Sequence, residues 1–267
     1  MQTKLKYLFL LLLIFGCTRV PITGRRQMNL LPESDLMKMS LTQYNDFLAK
    51  NQKVPATDAN AQLVEKVGNN IKNAVEKFMN ANKKYKSRIA GYNWQFNLVK
   101  DDKTVNAWCM PGGKVVVYSG LLPVTENETA LAVVLGHEIS HAIARHGNER
   151  MSQGMMVKAG GAVLSVALST QSGATQSLFN QSYGVTSELG VLAYSRKHES
   201  EADKLGLVFM AMAGYDPHEA IAFWERMEKA SKGSSMAILS THPSDAKRIE
   251  DIKKFLPKAM KYYQPKQ

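Results

Sequence analysis

The feature that most constrains this chain is the apolar run at 126–146, ENETALAVVLGHEISHAIARH, which carries His137, Glu138 and His141. The three residues spell H-E-x-x-H. Positions four apart on a helix of about 3.6 residues per turn share a face, so both imidazoles can meet one metal ion with Glu138 beside it. That pattern implies a zinc site of the hydrolytic kind. The run reads as one continuous helix, with Thr125 as N-cap, Glu128 completing a capping box, and Gly147 as its end.

The chain has 267 residues, enough for one compact unit with a sizeable core. Lys4 and Lys6 precede an apolar run at 7–15, followed by Gly16 and Cys17. This is signal-peptide order, and nine apolar residues are too few to span a bilayer. The expected organisation is a leader at 1–16, a tether at 17–32 broken by Pro21, Gly24 and Pro32, and a single domain at 33–267. The Ile-Phe-Gly-Cys ending resembles a bacterial lipobox. It implies acylation of Cys17, and Thr18 in place of Asp implies the outer membrane, facing the periplasm. Segment order alone fixes only export, which a plain secretory signal shares. Cys109, the other cysteine, reads as a buried small hydrophobe. The net charge of +11 suits anionic lipid or acidic partners. With no nucleic-acid motif and lysines scattered over helix faces, no nucleic-acid partner is expected.

Helical spacing predicts helices at 33–50 and 58–82, then the period changes to two. Tyr92, Trp94, Phe96 and Leu98 alternate with polar residues and predict a strand at 92–99. Runs at 104–110 and 114–119 flank Pro111-Gly112-Gly113, a hairpin turn. The three strands predict a small, mainly antiparallel sheet. The stretch 154–190 is rich in Gly, Ser, Ala and Gln. It reads as a short buried or interfacial helix and a mobile segment, either a lid or an ordinary long loop. Helices are expected again at 195–213, from Pro217 to about 230, and from about Pro243 to Phe255, stopping before Pro257.

A catalytic zinc takes three protein ligands plus water, so H-E-x-x-H leaves one to find. Glu199 and Asp203 lie four apart on the next charged helix, where Glu199 can ligate and Asp203 can orient a ligand histidine. Glu201 lies about 200° around that helix from Glu199 and is set aside. A solvated acidic face would show the same spacing. His146 fails the metzincin pattern, whose glycine and third histidine would fall on Ala144 and Gly147. It reads instead as a helix C-terminal residue, and His198 and His218 as structural or surface positions.

The resemblance that gathers these residues rests on Asn106-Ala107-Trp108, Met110-Pro111-Gly112-Gly113, Tyr118 to Leu122, His137 to His141, Glu199 to Asp203, and Thr241-His242-Pro243 with Arg248. In that order they resemble the zinc metallopeptidases of family 48, the HtpX and CAAX prenyl protease-like gluzincins. The absence of long hydrophobic spans is similar to the branch of soluble periplasmic lipoproteins typified by BepA and LoiP. The resemblance implies an α+β, predominantly helical, zincin-like domain with one zinc ion per chain. It implies His137, His141 and Glu199 as ligands, Glu138 as general base, and Asp203 and Arg248 supporting them. His242 is expected near the metal, either stabilising the oxyanion or filling a fourth position in a latent state. For Arg248, an ordinary surface salt bridge remains the other reading. Asn106, Ala107 and Trp108 are expected along the cleft as a substrate-binding edge strand. The implied activity is endoproteolysis of misfolded or misassembled cell-envelope polypeptides, with the membrane reached through a lipid on Cys17. The alternative is a chaperone-like outer-membrane assembly factor that acts mainly by binding.

Overall fold

The computed structural model describes residues 17–159, 173–183, 194–231, 237–242 and 246–265. The leader at 1–16, the middle and the end of the 154–190 stretch, and Pro243 lie outside them. The elements are β1 (Cys17–Arg19), β2 (Arg26–Met28), α1 (Glu33–Lys50), α2 (Ala59–Ala81), β3 (Gln95–Val99), β4 (Ala107–Met110), β5 (Lys114–Tyr118), α3 (Leu122–Thr125), α4 (Glu128–Ala144), α5 (His146–Ala159), α6 (Gly173–Tyr183), α7 (Arg196–Met212), α8 (Glu219–Ser231), α9 (Ala237–Thr241) and α10 (Ala246–Ala259). Among the described residues no helix is long and apolar enough to cross a membrane.

The fold is predominantly helical, and α4 is its axis. Every residue from Ala130 to Ala144 is buried, as a helix apolar on all sides must be. It packs against α2, α7 and α8 and against β4. The amphipathic α2 contributes Val64, Val67, Ile71 and Val75, all fully buried. Its N-terminus is capped by Asp58, whose side chain accepts from the Asn60 and Ala61 N–H groups.

The sheet is mixed. The hairpin β4–β5 is antiparallel, as the Gly112-Gly113 turn predicts, but β3 pairs with β5 in parallel, giving the order β3-β5-β4. The reason lies in β5, where Lys114–Tyr118 is buried throughout. A continuous Val115-Val116-Val117 run suits a central strand covered on both faces. Both turn glycines have positive φ, 86° and 79°, which non-glycine residues rarely adopt.

Several boundaries differ from the sequence reading. The stretch assigned to a tether contains the β1–β2 hairpin, and Val20 within it is fully buried in the main core. Arg88 fastens this hairpin, donating to the Arg19 carbonyl at 2.7 Å and to the Ile143 carbonyl near the end of α4 at 2.8 Å. The metal helix starts later than expected: Glu126 takes φ 63°, ending α3, and Asn127 becomes the N-cap, accepting from Ala130 N–H at 2.8 Å. It also stops earlier. Arg145 adopts a left-handed conformation, and α5 begins anew at His146. At the other end of the chain, α10 runs through Pro257 to Ala259.

Two helix backbones come into close approach where α4 crosses α7. A Cβ on Gly206 would stand 3.0 Å from the Gly136 carbonyl carbon and the His137 nitrogen, and one on Gly136 would stand 3.1 Å from the Gly206 oxygen. Backbone cannot yield as a flexible side chain does. Gly206→Ala is therefore expected to destabilise the fold by about 1–3 kcal/mol, read by chemical denaturation. An unchanged midpoint would show that the crossing tolerates a methyl group.

Candidate metal centre

The crossing at Gly136 and Gly206 brings the first turn of α7 against the middle of α4. His137, His141 and Glu199 meet there, and His242, just after α9, joins them. One ligand atom from each of the four lies within 4.8 Å of all the others, and all four residues are buried. His137 Nε2 and His141 Nε2 are 3.0 Å apart, and His242 Nδ1 stands 3.2 Å from His137 Nε2 and 3.1 Å from a Glu199 oxygen. Glu138 sits beside the group, with its Oε1 3.6 Å from His242 Nε2.

This donor set fits a zinc ion. His137 Nδ1 lies 2.8 Å from Asp203 Oδ1, so its N–H points at the carboxylate and Nε2 keeps its lone pair. A second imidazole nitrogen and a carboxylate then face that lone pair at close range. Three imidazoles and one carboxylate converging in this way are the chemistry of a site for a borderline-soft dication. The charges around the ligands are paired. Arg248 donates to both Asp203 oxygens at 2.9 and 2.7 Å, stands 3.1 Å from Glu199 Oε2, and lies 3.4 Å above the Trp224 ring. Burial opposes ionisation of Glu199, but His242, His137 and Arg248 hold its carboxyl well below the usual range. For Glu138 burial wins, and its carboxyl lies above the usual range despite His242 and His137.

The other expected residues fall as follows. Asp203 and Arg248 stand behind His137 and Glu199, and Arg248 is buried, which rules out the surface salt bridge. Strand β4 has β5 as its one neighbour among the described strands. Ala107 faces the main core, whereas the Trp108 ring points to the opposite side of the sheet and packs 5.2 Å from Phe47. Trp108 can therefore offer a cleft only its backbone. Asn106 uses its side-chain oxygen on the Ala107 N–H and its carbonyl on Tyr118 N–H. Cys109 is buried and free, and burial raises its thiol well above the usual range. Cys17 pairs through its backbone with Met28.

The sequence reading missed a second group of residues. His146 is fully buried and begins α5, not the C-terminal end of the H-E-x-x-H helix, and its Nδ1 lies 2.9 Å from His141 Nδ1. Its Nε2 lies 3.0 Å from Glu201, the residue set aside on angular grounds. Arg25 bridges Glu201 and Glu149 with contacts of 2.7–2.8 Å, and His198 stacks on His146 and reaches Glu149 at 3.2 Å. Tyr194 lays its ring 3.8 Å from that of His141, with the Arg150 guanidinium 3.6 Å from the Tyr194 ring centre. One available signal was the histidine count: five of the chain's six gather here, and only His218 is exposed.

Burial opposes ionisation of Glu149, but hydrogen bonds from His198 and Arg25 outweigh it and hold the carboxyl at about 2 against an ordinary 4.5. A depressed folded-state pKa adds stability that is complete above the unfolded value and is lost as the group protonates. That contribution should therefore be full above about pH 4.5 and fade toward about pH 2. Glu149→Gln is expected to flatten the acid side of the stability profile while lowering stability near neutral pH. A parallel acid limb in the variant would remove Glu149 from that role.

Comparison with known proteins gives this centre a family. The profile described as Peptidase family M48 matches residues 65–256. Mitochondrial metalloendopeptidase OMA1 of Schizosaccharomyces pombe is 33% identical over 244 residues, covering 90% of this chain and 66% of that protein. The OMA1 metalloendopeptidase of Saccharomyces cerevisiae is 36% identical over 189 residues, covering 67% and 51%. Beta-barrel assembly-enhancing protease of Escherichia coli is 32% identical over 168 residues, covering 60% and 34%. This chain thus spans between one third and two thirds of the length of these relatives, whose names give both a mitochondrial and a bacterial setting. The profile match covers most of the chain and encloses every member of the cluster, and on that ground the chain belongs to peptidase family M48, the zinc metallopeptidases.

Proposed function

We propose that this chain is a zinc endopeptidase that hydrolyses peptide bonds of unfolded or misassembled cell-envelope proteins. The observation that carries the reading is the cluster of four buried ligand atoms within 4.8 Å of one another, with Glu138 at its side. His137, His141 and Glu199 hold the metal. Zinc held there would supply Lewis acidity to the scissile carbonyl and to the attacking water. Asp203 and His146 keep the ligand histidines' protons on Nδ1 and leave both Nε2 atoms free. Glu138, placed beside the cluster, accepts the water's proton and delivers it to the leaving amine. Arg248 fixes Asp203 and Glu199. His242, whose Nδ1 stands 3.1 Å from Glu199, would either give way to the substrate's carbonyl oxygen or hydrogen-bond it. The edge of β4 that no described strand pairs takes an extended peptide by strand addition, which reads backbone more than side chains.

The substrate class and the location belong to the same proposal. The name of the Escherichia coli relative supports a role in beta-barrel assembly, and the lipobox-like ending before Cys17 supports a lipid anchor in the outer membrane. The mitochondrial relatives supply the competing setting. Labelling with a tagged fatty acid tests the anchor: the wild type is expected to take up label and Cys17→Ser to lose it, whereas equal labelling excludes Cys17.

The chemistry is tested on an unfolded polypeptide. Glu138→Gln is expected to lower the cleavage rate by about 10²-fold or more with zinc content unchanged, and a chelator should abolish wild-type cleavage until zinc is returned. Equal cleavage by wild type and variant would sink the mechanism. If Glu138→Gln instead repairs an outer-membrane assembly defect in cells, binding is the main activity.

A further inference from the structure

We propose that His146, Glu201 and Arg25 form a relay of positioning residues that fixes the ring orientation and tautomer of His141, making the N-terminal hairpin a working part of the metal centre. The inference rests on the zinc-site reading above.

The distances give the relay a direction. For His141 to present Nε2 to a metal, its proton must sit on Nδ1, and the only described polar contact of Nδ1 is His146 Nδ1 at 2.9 Å. His146 must then accept on Nδ1 and carry its own proton on Nε2, 3.0 Å from Glu201 Oε2. Glu201 remains an acceptor throughout, because Arg25 Nε donates to the same oxygen at 2.8 Å and the Thr23 hydroxyl donates to the other. Both imidazole protons point away from the cluster and toward Glu201, which Arg25 and Thr23 hold from its far side. Reversing any one would set two donors or two lone pairs face to face.

The other ligand histidine shows the same logic in a shorter form. His137 leans on Asp203, and Asp203 is held by Arg248. His141 leans on a carboxylate and an arginine too, with one imidazole inserted between. Metal-binding histidines commonly donate their second N–H to such an acceptor, which sets orientation and basicity. Arg25 has a second task. Its guanidinium donates to both oxygens of Glu149 at 2.7 Å, so it separates two buried carboxylates that would otherwise repel. Both Arg25 and Thr23 lie between β1 and β2, so the hairpin's seat determines whether Glu201 faces His146.

The test measures zinc affinity by competition with a chelator in the full chain, alongside steady-state cleavage of an unfolded polypeptide. His146→Phe keeps the ring's bulk but removes the acceptor, and it is expected to raise the zinc dissociation constant about 10- to 100-fold. Arg25→Ala should raise it by about threefold or more, and Arg25→Lys, which returns a cation, should recover part of the loss. In both the His146 and the Arg25 variants kcat should fall while KM stays within about twofold, because the peptide edge is untouched. If Arg25→Ala lowers the thermal midpoint but leaves zinc affinity within about twofold of wild type, the hairpin is only structural and the proposal is overturned. Should His146→Phe fail to fold, the Arg25 pair decides alone. A wild-type chain that takes up no zinc would instead overturn the zinc-site reading itself.

Discussion

Everything at this centre depends on two helices being able to touch backbone to backbone. Gly136 immediately precedes His137, and Gly206 follows Asp203 by three residues and Glu199 by seven, so the contact lies within a turn of His137 and Asp203 and about two turns from Glu199. With any larger residue at either position the helices would separate. His137 and His141 would keep their spacing along α4, but Glu199 would withdraw. The candidate metal ligands come mainly from regular helices, whose backbones are held by their own hydrogen bonds, and such elements position side chains more tightly than loops do. His242 is the exception, placed by the short helix α9 and tied back through His242 N–H to the Ile238 carbonyl.

Such an arrangement buries charge, and the fold meets that cost with two arginines. Arg248 enters from α10 and Arg25 from the hairpin, on opposite sides of the histidine pair. Each is shared between two carboxylates, Asp203 and Glu199 for the first, Glu201 and Glu149 for the second. Buried ion pairs contribute little net stability compared with apolar packing. Their effect here is orientational, because a bidentate guanidinium fixes a carboxylate plane and the carboxylate fixes an imidazole. Trp224 completes one side by covering the Arg248 guanidinium and standing 5.9 Å from the His137 ring.

Local chemistry was legible in the sequence, and long-range placement was not. H-E-x-x-H located the central helix because a period of 3.6 ties spacing to a face, and Glu199 and Asp203 followed from the same rule on α7. The Gly112-Gly113 turn announced its hairpin. The parallel pairing of β3 was hidden, since alternation reports a strand but not its neighbour. The end of the metal helix was misplaced because the break falls on Arg145, a residue with no turn signature. That error concealed His146: on an unbroken helix it would lie five positions from His141, on a different face, whereas the left-handed turn brings its ring beneath. Glu201 was dismissed by counting angles around α7, a sound argument for sharing the role of Glu199 but silent about a partner arriving from residue 25. Arg25 itself carried no motif, and its Pro- and Gly-bounded setting resembled a linker.

The hairpin also bears on where this protein can be divided. Glu33, where the first long helix begins, is the obvious place to trim the chain for expression as a soluble fragment. A fragment starting there would keep all four clustered donor residues and the family's matched region. It would nonetheless lose Val20 from the core, the strand that Arg88 fastens to the end of α4, and the cation between Glu149 and Glu201. The smallest autonomous unit by this measure begins no later than Cys17, and residues 17–32 are a structural part of the folded body.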